Sequence, residues 1–474
     1  MLFSCGSNSD GQLSHGPLNT SDSAHFVRTS PALPGTPVAL AFGARHTLLL
    51  AAPPSTSASS LPNELHVCGS NYEGQLGPVL SAGGRDELMT ELRGLRLCEL
   101  GVVEVAEAGW EPALVAACAE TSLVVCRWSG GGAGRDDVVV VMGADDWGER
   151  GGAGSPADGP RAITFASFAP PASAGAAFLH VSKLTAGPRH VVAVLEWVDR
   201  VTGLPTRWRK LVGWGAARQG QLGAGLADGK GKGLAKVGAP VELCTAEGRL
   251  LRDGCDVVDV ALGMEHSAIL LASATQPPSD PRLPPAPPPL ALLGSTRKGQ
   301  LGPNTMSSFN LLSLPLLSAH TAFPVQPARH QIGACWSATF VLSVSASTPA
   351  VVLSAFGSNH HSQLGLPSAA LLSSAAPLPI DLSPPPPGST REVRHLAAGS
   401  EHALLVCRLS TIRDGAVVEE DEVWAWGWNE HGNLGTGTLE DGQTPQRVWP
   451  APGQPAGQVT GVWAGNATSW IATA

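Results

Sequence analysis

The sequence predicts an all-β protein, a seven-bladed β-propeller with four-stranded antiparallel blades. Three observations support this prediction. A segment with a glycine turn occurs seven times, a second apolar segment alternates with it seven times, and the chain begins with one kind of segment and ends with the other. Such internal similarity is typical of repeat architectures.

The first kind of segment is a short apolar run that ends in a glycine turn. It reads LFSCGSNSDGQLSHG from Leu2, VWAWGWNEHGNLGTG from Val423 and, in a weaker copy, VVVVMGADDWGERGG from Val138. By subtraction of their numbers, the first glycines of the copies lie 63 to 79 residues apart. They are Gly6, Gly69, Gly143, Gly215, Gly294, Gly357 and Gly427.

The second kind of segment is an apolar strand, a Gly-x-x-His turn and another apolar strand, as in VALAFGARHTLLL from Val38. The histidines are His46, His190, His266 and His402, and we assign Pro112, Trp336 and Thr468 to the same position in the other copies. Two strands from each kind of segment make a four-stranded blade. The histidines lie on different blades, too far apart for one metal ion, so we predict structural histidines bonded to neighbouring backbone.

Neither end of the chain holds a complete blade, because the glycine-turn half starts at Leu2 and the other half ends at Ala474. Pairing of the two halves closes the ring and leaves no open sheet edge between blades. We therefore expect one domain, residues 1–474, with the N-terminal segment supplying the outer strands of a blade whose inner strands come from Val459 to Thr473. Loop insertions are expected near residues 81–100, 150–178, 272–290, 303–328 and 367–390, and the first of these has the pattern of an amphipathic helix.

The glycine turns are predicted to be structural. Glycine and asparagine are expected where the backbone adopts a positive φ, which other residues resist. The leucine that follows is expected to fill apolar space, and the glutamine amide to bond turn backbone groups. The structural turn residues are Gly6, Asn8, Gly69, Asn71, Gly215, Gly357, Asn359, Gly427 and Asn429.

Composition limits the classes of function. Lys plus Arg number 30 against 39 for Asp plus Glu, and no segment gathers a basic stripe, so direct binding of nucleic acid is not expected. The nine scattered cysteines are expected to be buried reduced thiols. Without a signal-peptide pattern or an apolar run of membrane length, we expect a cytoplasmic and also nuclear location, and no membrane partner. No enzyme, metal or cofactor motif is found, so no catalytic residue, metal or cofactor is predicted.

Two charged groups are expected to be solvated. One is an acidic loop patch of Asp136, Asp137, Asp145, Asp146 and Glu149. The other lies on a predicted hairpin, Trp197 to Lys210 with its turn at Gly203, and exposes Arg207, Arg209 and Lys210.

Tryptophan is concentrated near the C-terminal end, where six of the 13 follow residue 420. By strand alternation, Trp424, Trp426 and Trp428 share one face. These rings either seal the closing blade or reach the rim, where an aromatic and a few charges anchor a protein partner. The predicted partner-binding residues are Trp426, Trp428, Glu430, His431, Trp463 and Trp470.

The alternation of Gly-x-Asn-x-x-Gly-Gln-Leu-Gly with Val-x-x-x-x-x-Gly-x-x-His resembles the regulator of chromosome condensation propellers over essentially the whole chain. AAGSEHALLV at Ala397, WAWGWNEHGNLG at Trp424 and WAGNATSWI at Trp463 are similar to the fungal alpha-tubulin suppressor family, also known from killer-toxin insensitivity. GWEP at Gly109 and ACWSATF at Ala334 depart from the generic turn as that family does.

The resemblance implies a non-catalytic scaffold. Members of that family form a heterodimer with a small zinc- or iron-binding electron donor. The pair supports diphthamide synthesis on elongation factor 2 and Elongator-dependent modification of wobble uridine in transfer RNA. Two alternatives remain open: a guanine-nucleotide exchange factor for a small GTPase, which is the founding activity of the superfamily, and an adaptor for microtubule or trafficking proteins.

Overall fold

The computed structural model is all β, with short 3₁₀ helices at Leu97–Leu100, Val103–Val105 and Ala166–Phe168. It describes residues 1–54, 62–78, 88–130, 134–152, 159–171, 175–226, 233–251, 255–272, 289–303, 308–313, 327–345, 351–451 and 457–474. The chain divides into two compact units. The N-terminal unit holds Asn8–Ser21 and Thr29–Asp256, and the C-terminal unit holds Met1–Ser7, Asp22–Arg28 and Val257–Ala474.

Seven four-stranded antiparallel sheets form the blades, which confirms the predicted seven-bladed propeller. The chain starts with β1 (Leu2–Gly6) and β2 (Ser23–Arg28). Blade 1 is β3 (Thr36–Phe42), β4 (His46–Ala52), β5 (Glu64–Ser70) and β6 (Leu88–Leu95). Blade 2 is β7 (Trp110–Ala117), β8 (Thr121–Trp128), β9 (Val138–Gly143) and β10 (Arg161–Ile163). Blade 3 is β11 (Ala177–Ala186), β12 (His190–Asp199), β13 (Pro205–Ala216) and β14 (Lys236–Glu242), followed by the small hairpin β15 (Cys244–Thr245) and β16 (Gly248–Arg249).

The remaining strands lie in the C-terminal unit. Blade 4 is β17 (Val257–Leu262), β18 (His266–Leu271), β19 (Pro289–Gly294) and β20 (Phe309–Ser313). Blade 5 is β21 (Pro327–Ala334), β22 (Ala338–Ser345), β23 (Val351–Ser358) and β24 (Ser373–Pro379). Blade 6 is β25 (Ser389–Ala398), β26 (His402–Arg413), β27 (Ala416–Gly427) and β28 (Gly442–Trp449), and the chain ends with β29 (Val459–Ala464) and β30 (Thr468–Thr473).

The two ends of the chain share one blade, in the order β2-β1-β30-β29. Strand β1 pairs with β30 from Leu2 opposite Ala472 to Gly6 opposite Thr468. The predicted pairing of the terminal halves is therefore confirmed. Phe3 and Phe26 from the N-terminal strands pack on Trp449 of blade 6, with ring centroids 5.0 and 6.1 Å apart.

In each blade, two backbone hydrogen bonds hold the Gly-x-x-His type of turn and the glycine turn together at one edge of the sheet. In the Gly-x-x-His type of turn, the first N–H donates to the carbonyl of the fourth residue, as Gly43 does to His46 at 2.9 Å and Cys335 to Ala338 at 2.9 Å. The carbonyl of the third residue then accepts from the residue after the first glycine of the glycine turn, as Glu401 does from Trp428 at 3.0 Å. All seven blades have both bonds, so the repeat has a hydrogen-bonded basis.

These bonds correct the assignment of the histidine position in two blades. The fourth residue of the turn is Thr121 in blade 2 and Ala338 in blade 5. Pro112 instead lies within β7 and Trp336 is the second residue of its turn, whereas Thr468 is placed as predicted. In both blades a cysteine, Cys118 or Cys335, replaces the first glycine, which obscured the motif.

Three of the histidines bond side chains of the next blade, which the prediction of backbone bonds did not include; His402 also bonds the backbone of Thr468. Nε2 of His46, His266 and His402 lies 2.9, 3.0 and 2.9 Å from the hydroxyl of Ser122, Thr339 and Ser469. Each ring also lies over the first glycine of its own turn, where a Cβ on Gly43 would lie 2.0 Å from the ring of His46. The fourth, His190, is fully buried.

The roles predicted for the glycine turns are largely confirmed. The first glycines have φ between 99° and 125°, and a Cβ on Gly427 would lie 2.5 Å from the Glu401 carbonyl oxygen. The asparagines do not have positive φ, which corrects the prediction for them. They act through their side chains: the Oδ1 atoms of Asn8, Asn71, Asn359 and Asn429 accept from the backbone N–H of the leucine five residues later, at 2.7 to 2.9 Å.

The leucine and the glutamine of the turns also have the roles that were predicted for them. The six leucines are buried, and glutamine Oε1 accepts from the backbone N–H two residues earlier. The leucines are Leu13, Leu76, Leu222, Leu301, Leu364 and Leu434, and the glutamines are Gln12, Gln75, Gln221, Gln300 and Gln363. The nine cysteines are free, and six are buried, in accord with reduced thiols acting as small apolar residues.

Segments predicted as insertions also carry fourth strands of blades, namely β6, β10, β20 and β24. The predicted amphipathic helix at residues 81–100 is wrong, because Leu88–Leu95 forms β6 by pairing with β5. Residues 79–87, 153–158, 172–174, 273–288, 304–307 and 314–326 of these segments lie outside the described residues. No helix in the described part of the chain is both long and apolar enough to cross a membrane.

The predicted solvated charges are partly wrong. Asp137 is buried and accepts from Arg127 at 3.0 Å, and Glu149 is buried in the glycine turn of blade 2. Burial raises the pKa of Glu149 to about 7. The predicted hairpin is confirmed as β12 and β13, but Arg209 pairs with Glu196 at 3.2 Å and Lys210 with Glu242 at 3.0 Å.

Candidate protein-binding site

A partly exposed tryptophan between two histidines forms the candidate site, at the turn edge of blades 5 and 6. Trp428 follows Gly427, the last residue of β27, and its N–H donates to the Glu401 carbonyl. Its ring centroid lies 5.3 Å from that of His431 and 6.1 Å from that of His361. A partly exposed tryptophan in contact with polar rings is the kind of residue that anchors protein interfaces.

Two aspartates orient the histidines. Nδ1 of His431 lies 2.7 Å from Oδ2 of Asp22, and Nδ1 of His361 lies 3.1 Å from Oδ2 of Asp441. The other oxygen of Asp441 accepts from the backbone N–H of Asn429 at 2.9 Å. Because each Nδ1 is engaged by a carboxylate, each ring presents Nε2 as its other polar atom.

Glycine allows the loop of blade 6 to approach β2 and so brings His431 to Asp22. A Cβ on Gly432 would lie 2.4 Å from the Cα of Ala24 and one on Gly435 would lie 2.3 Å from the ring of Phe26. The loop itself is held by Asn429, whose Nδ2 donates to the carbonyls of Thr438 and Glu440 at 2.9 Å each. The backbone of the site is therefore held by side-chain hydrogen bonds and by close packing at the glycines.

A carboxylate with a shifted pKa lies beneath this cluster. Glu401 accepts from the Gln363 amide, and burial raises its pKa to about 7, although that bond and the charges of His361 and Lys298 oppose the shift. Lys298 Nζ lies 3.2 Å from Nε2 of His360, the neighbour of His361. The edge thus combines one aromatic anchor with ionisable groups of both signs.

The structure separates the six predicted partner-binding residues. Trp428 and His431 are partly exposed and in contact, and Glu430 between them is exposed. Trp426 and Trp470 are fully buried, and Trp426 packs on Phe340 and donates to the Gln363 carbonyl at 2.9 Å. The prediction that these two contact a partner is therefore wrong; they fill the core instead. Trp463 lies on β29, partly buried, with its ring over Gly461.

Sequence reasoning missed His361, Asp441 and Asp22. His361 follows the first glycine of its turn by four residues, as His431 does in blade 6, so an alignment of the repeats would have brought it to attention. Asp22 is 409 residues from His431, and only the pairing of the terminal blade brings it near.

The blade order and the paired hydrogen bonds of the turns define a seven-bladed β-propeller. Residues 420–470 match the regulator of chromosome condensation (RCC1) repeat. The Arabidopsis thaliana "Ultraviolet-B receptor UVR8" is 25% identical over 281 residues, which are 59% of this chain and 51% of that protein. The chain thus matches about half the length of this relative.

Two solved structures cover nearly the whole chain. Human WBSCR16 has a TM-score of 0.64 at 18% identity, covering 100% of this chain and 99% of that one. Prp20p from Saccharomyces cerevisiae has a TM-score of 0.62 at 19% identity, covering 99% and 90%. At these identities the two structures establish the fold.

Proposed function

We propose that the protein is a non-catalytic scaffold that binds a protein partner through the Trp428 cluster, defined as Trp428, His361, His431, Asp22 and Asp441. The observation that carries the proposal is the geometry of this cluster: a partly exposed indole lies between two histidines, each bonded to an aspartate. Interface hot spots are enriched in tryptophan, and a backbone that is already ordered loses less conformational entropy on binding.

The resemblance to the fungal alpha-tubulin suppressor family suggests which partner this is. We propose a small zinc- or iron-binding electron-donor protein, bound as a heterodimer, with indirect links to Elongator and the diphthamide synthesis enzymes. The scaffold would thereby support diphthamide synthesis on elongation factor 2 and modification of wobble uridine in transfer RNA. The similarity of the C-terminal repeats from Ala397 onward supports this proposal.

The test is a pull-down with the full-length protein and its Trp428→Ala variant, followed by mass spectrometry of the captured proteins. We expect the wild type to capture a small metalloprotein, and W428A to bind the purified partner about 30-fold more weakly, as loss of about 2 kcal/mol at a hot spot requires. Tyr72→Ala is the matched control, because Tyr72 is an exposed aromatic in the glycine turn of blade 1.

The outcomes distinguish the alternatives. Capture of a small GTPase whose nucleotide exchange the protein accelerates would replace the proposal with an exchange factor, and capture of tubulin would replace it with an adaptor. Equal loss of binding in W428A and Y72A would show that the Trp428 cluster is not the docking site. Mass spectrometry of wobble uridines in a deletion strain tests the cellular role.

A further inference from the structure

The long hairpin of blade 6 carries a strand edge that no described strand of its blade covers. Strands β26 and β27 pair without interruption from His402 opposite Gly427 to Arg413 opposite Ala416. On the outer side of β27, strand β28 pairs only from Val423 onward. Within the described residues, no other strand pairs with Ala416–Glu422 on that side, so a stretch of seven residues is open.

The turn of this hairpin fixes which backbone groups face outward. Asp414 and Gly415 have φ of 51° and 79°, as a two-residue type I′ turn requires. In such a hairpin, Arg413 and Ala416 exchange both hydrogen bonds, and the pairs then alternate along the ladder. The N–H and C=O groups of Val417 and Glu419 therefore point away from β26, towards the open side.

The side chains along this edge are apolar near the tip and acidic behind it. Ile412 and Val417 lie directly opposite each other and are 70% and 66% exposed. Glu419 and Glu420 follow, with side chains 52% and 36% exposed. From Arg408 to Glu422 there are five acidic and two basic residues. Arg408 pairs with Asp421 at 2.8 Å and more loosely with Glu419 at 3.3 Å, and Arg413 lies 3.4 Å from Glu420.

The hairpin of blade 3 shows how such an edge is normally protected. Its β13 begins with Pro205, which donates no hydrogen bond, and carries Arg207, Arg209 and Lys210, while its ladder with β12 shifts register between Glu196 and Val198. Proline, basic residues and an irregular register are devices that block addition of another strand. The stretch Ala416–Glu420 has no proline and no register shift, and its charged residues, Glu419 and Glu420, are acidic.

We propose that the outer edge of β27 at Ala416–Glu420 binds an extended basic segment of a protein partner, which adds to blade 6 as a fifth strand. Backbone hydrogen bonds would come from Val417 and Glu419, and the side chains would set the sequence. Opposite Val417 and Val418 the segment carries apolar residues, and opposite Glu419 and Glu420 it carries lysine or arginine. An antiparallel segment then reads basic-basic-apolar-apolar, and a parallel one reads in reverse.

A second copy of the chain is disfavoured as the occupant. Edge-to-edge pairing of two β27 strands would bring the acidic residues of both copies, Glu419 and Glu420, to one short ladder. Like charges across a ladder are destabilising. A basic segment removes this repulsion.

The test measures binding of a capped, fluorescent peptide, Lys-Lys-Val-Val flanked by serines, to the full-length protein by anisotropy. We expect saturable binding that weakens with salt, and no binding of the Glu-Glu-Val-Val peptide. Val417→Pro removes one outward N–H and should weaken binding at least about 10-fold, since several contacts then lose register. Val417→Thr, which keeps the N–H and the branched side chain, should stay within about 2-fold.

Charge reversal gives a second, positive readout. The double variant Glu419→Lys, Glu420→Lys should lose the lysine peptide and gain the Glu-Glu-Val-Val peptide, while Arg207→Glu on the blade 3 hairpin should leave binding unchanged. Hydrogen exchange should slow in the proteolytic fragment that contains residues 416–420 when the lysine peptide is bound. No saturable binding, equal binding by V417P and V417T, or concentration-dependent dimers in light scattering would overturn the proposal.

Discussion

Two turns in neighbouring blades of the C-terminal unit show how different residues fill the same place. The turn of blade 6 has Gly399 and His402, and that of blade 5 has Cys335 and Ala338, yet both have the same backbone bond, at 2.8 and 2.9 Å. In blade 6 the His402 ring reaches the Ser469 hydroxyl of the next blade. In blade 5 the Cys335 thiol lies 3.4 Å from the His402 carbonyl oxygen, again in the next blade.

The difference teaches that glycine and histidine in this turn are a coupled pair. Gly399 does not have a positive φ, so conformation does not demand glycine there. Space does, because a Cβ on Gly399 would lie 2.4 Å from Cε1 of His402 and 2.6 Å from the carbonyl oxygen of Gly465. Of the three blades without the histidine, those with Ala338 and Thr121 have a cysteine at the glycine position, whereas the terminal blade keeps Gly465 with Thr468.

The largest expected effect comes from placing the cysteine of the blade 5 turn beside the histidine of the blade 6 turn. Gly399→Cys places a side chain where the His402 ring lies, and we expect a loss of about 3 kcal/mol, as overpacking of a rigid core costs. The double variant Gly399→Cys, His402→Ala reproduces the pattern of blade 5 and should be less destabilised than G399C alone. Urea unfolding followed by tryptophan fluorescence gives the values.

The control for this pair is Gly238→Cys, because a Cβ on Gly238 meets no atom within 4 Å. It should change stability by less than about 0.5 kcal/mol. A double variant less stable than G399C would contradict the coupling of glycine and histidine.

Removing the histidine alone should have the next largest effect. His402→Ala leaves a cavity and an unpaired Ser469 hydroxyl, and we expect a loss of about 2 kcal/mol. Ser469→Ala should cost about 1 kcal/mol, and the double variant should cost less than the sum, because the two side chains share one hydrogen bond. Strict additivity in this double-mutant cycle would show that the His402–Ser469 bond contributes nothing.

The same comparison predicts a pH dependence. Burial lowers the pKa of His402 to about 4 and that of His266 to about 4, against 6.5 for the free side chain. The unfolded chain therefore binds these protons first, so stability present above pH 6.5 is lost as the pH falls towards 4. One such histidine loses about 2 kcal/mol between pH 6.5 and 5. H402A should thus lose less stability than the wild type over that interval in parallel urea titrations at the two pH values.

The repeat pattern predicted the fold well, because its signals are local. Glycine positions, the leucine after each turn and the alternation of segments follow from backbone sterics and strand periodicity, and they identified all seven blades. The histidine position was misassigned in blades 2 and 5 because Cys118 and Cys335 replace the first glycine of the Gly-x-x-His turn. The backbone hydrogen bond from the first to the fourth residue of the turn identifies the position in the structure.

The candidate site was harder to predict because its members come from distant parts of the chain. Trp428, Glu430 and His431 were identified from a local excess of tryptophan. Trp426 was assigned to the same surface because strand alternation does not reveal which face is covered by the next blade. Asp22 and His361 reach the site only through blade pairing and the contact of neighbouring turns.

The last prediction concerns the third residue of the same two turns, which is Glu401 in blade 6 and Ser337 in blade 5. Burial raises the pKa of Glu401 to about 7, so the folded state holds a proton that the unfolded carboxyl releases near its ordinary value of 4.5. Stability is then fully present below pH 4.5 and is lost as the pH rises through 7. Glu401→Gln, which cannot ionise, should be more stable than the wild type by about 3 kcal/mol at pH 8 and by about 1 kcal/mol at pH 5. Glu430→Gln, at an exposed carboxylate, measures the effect of removing one surface charge. An E401Q variant less stable than the wild type at pH 8 would mean that the ionised carboxylate is stabilised by Gln363 and Lys298 rather than opposed by burial.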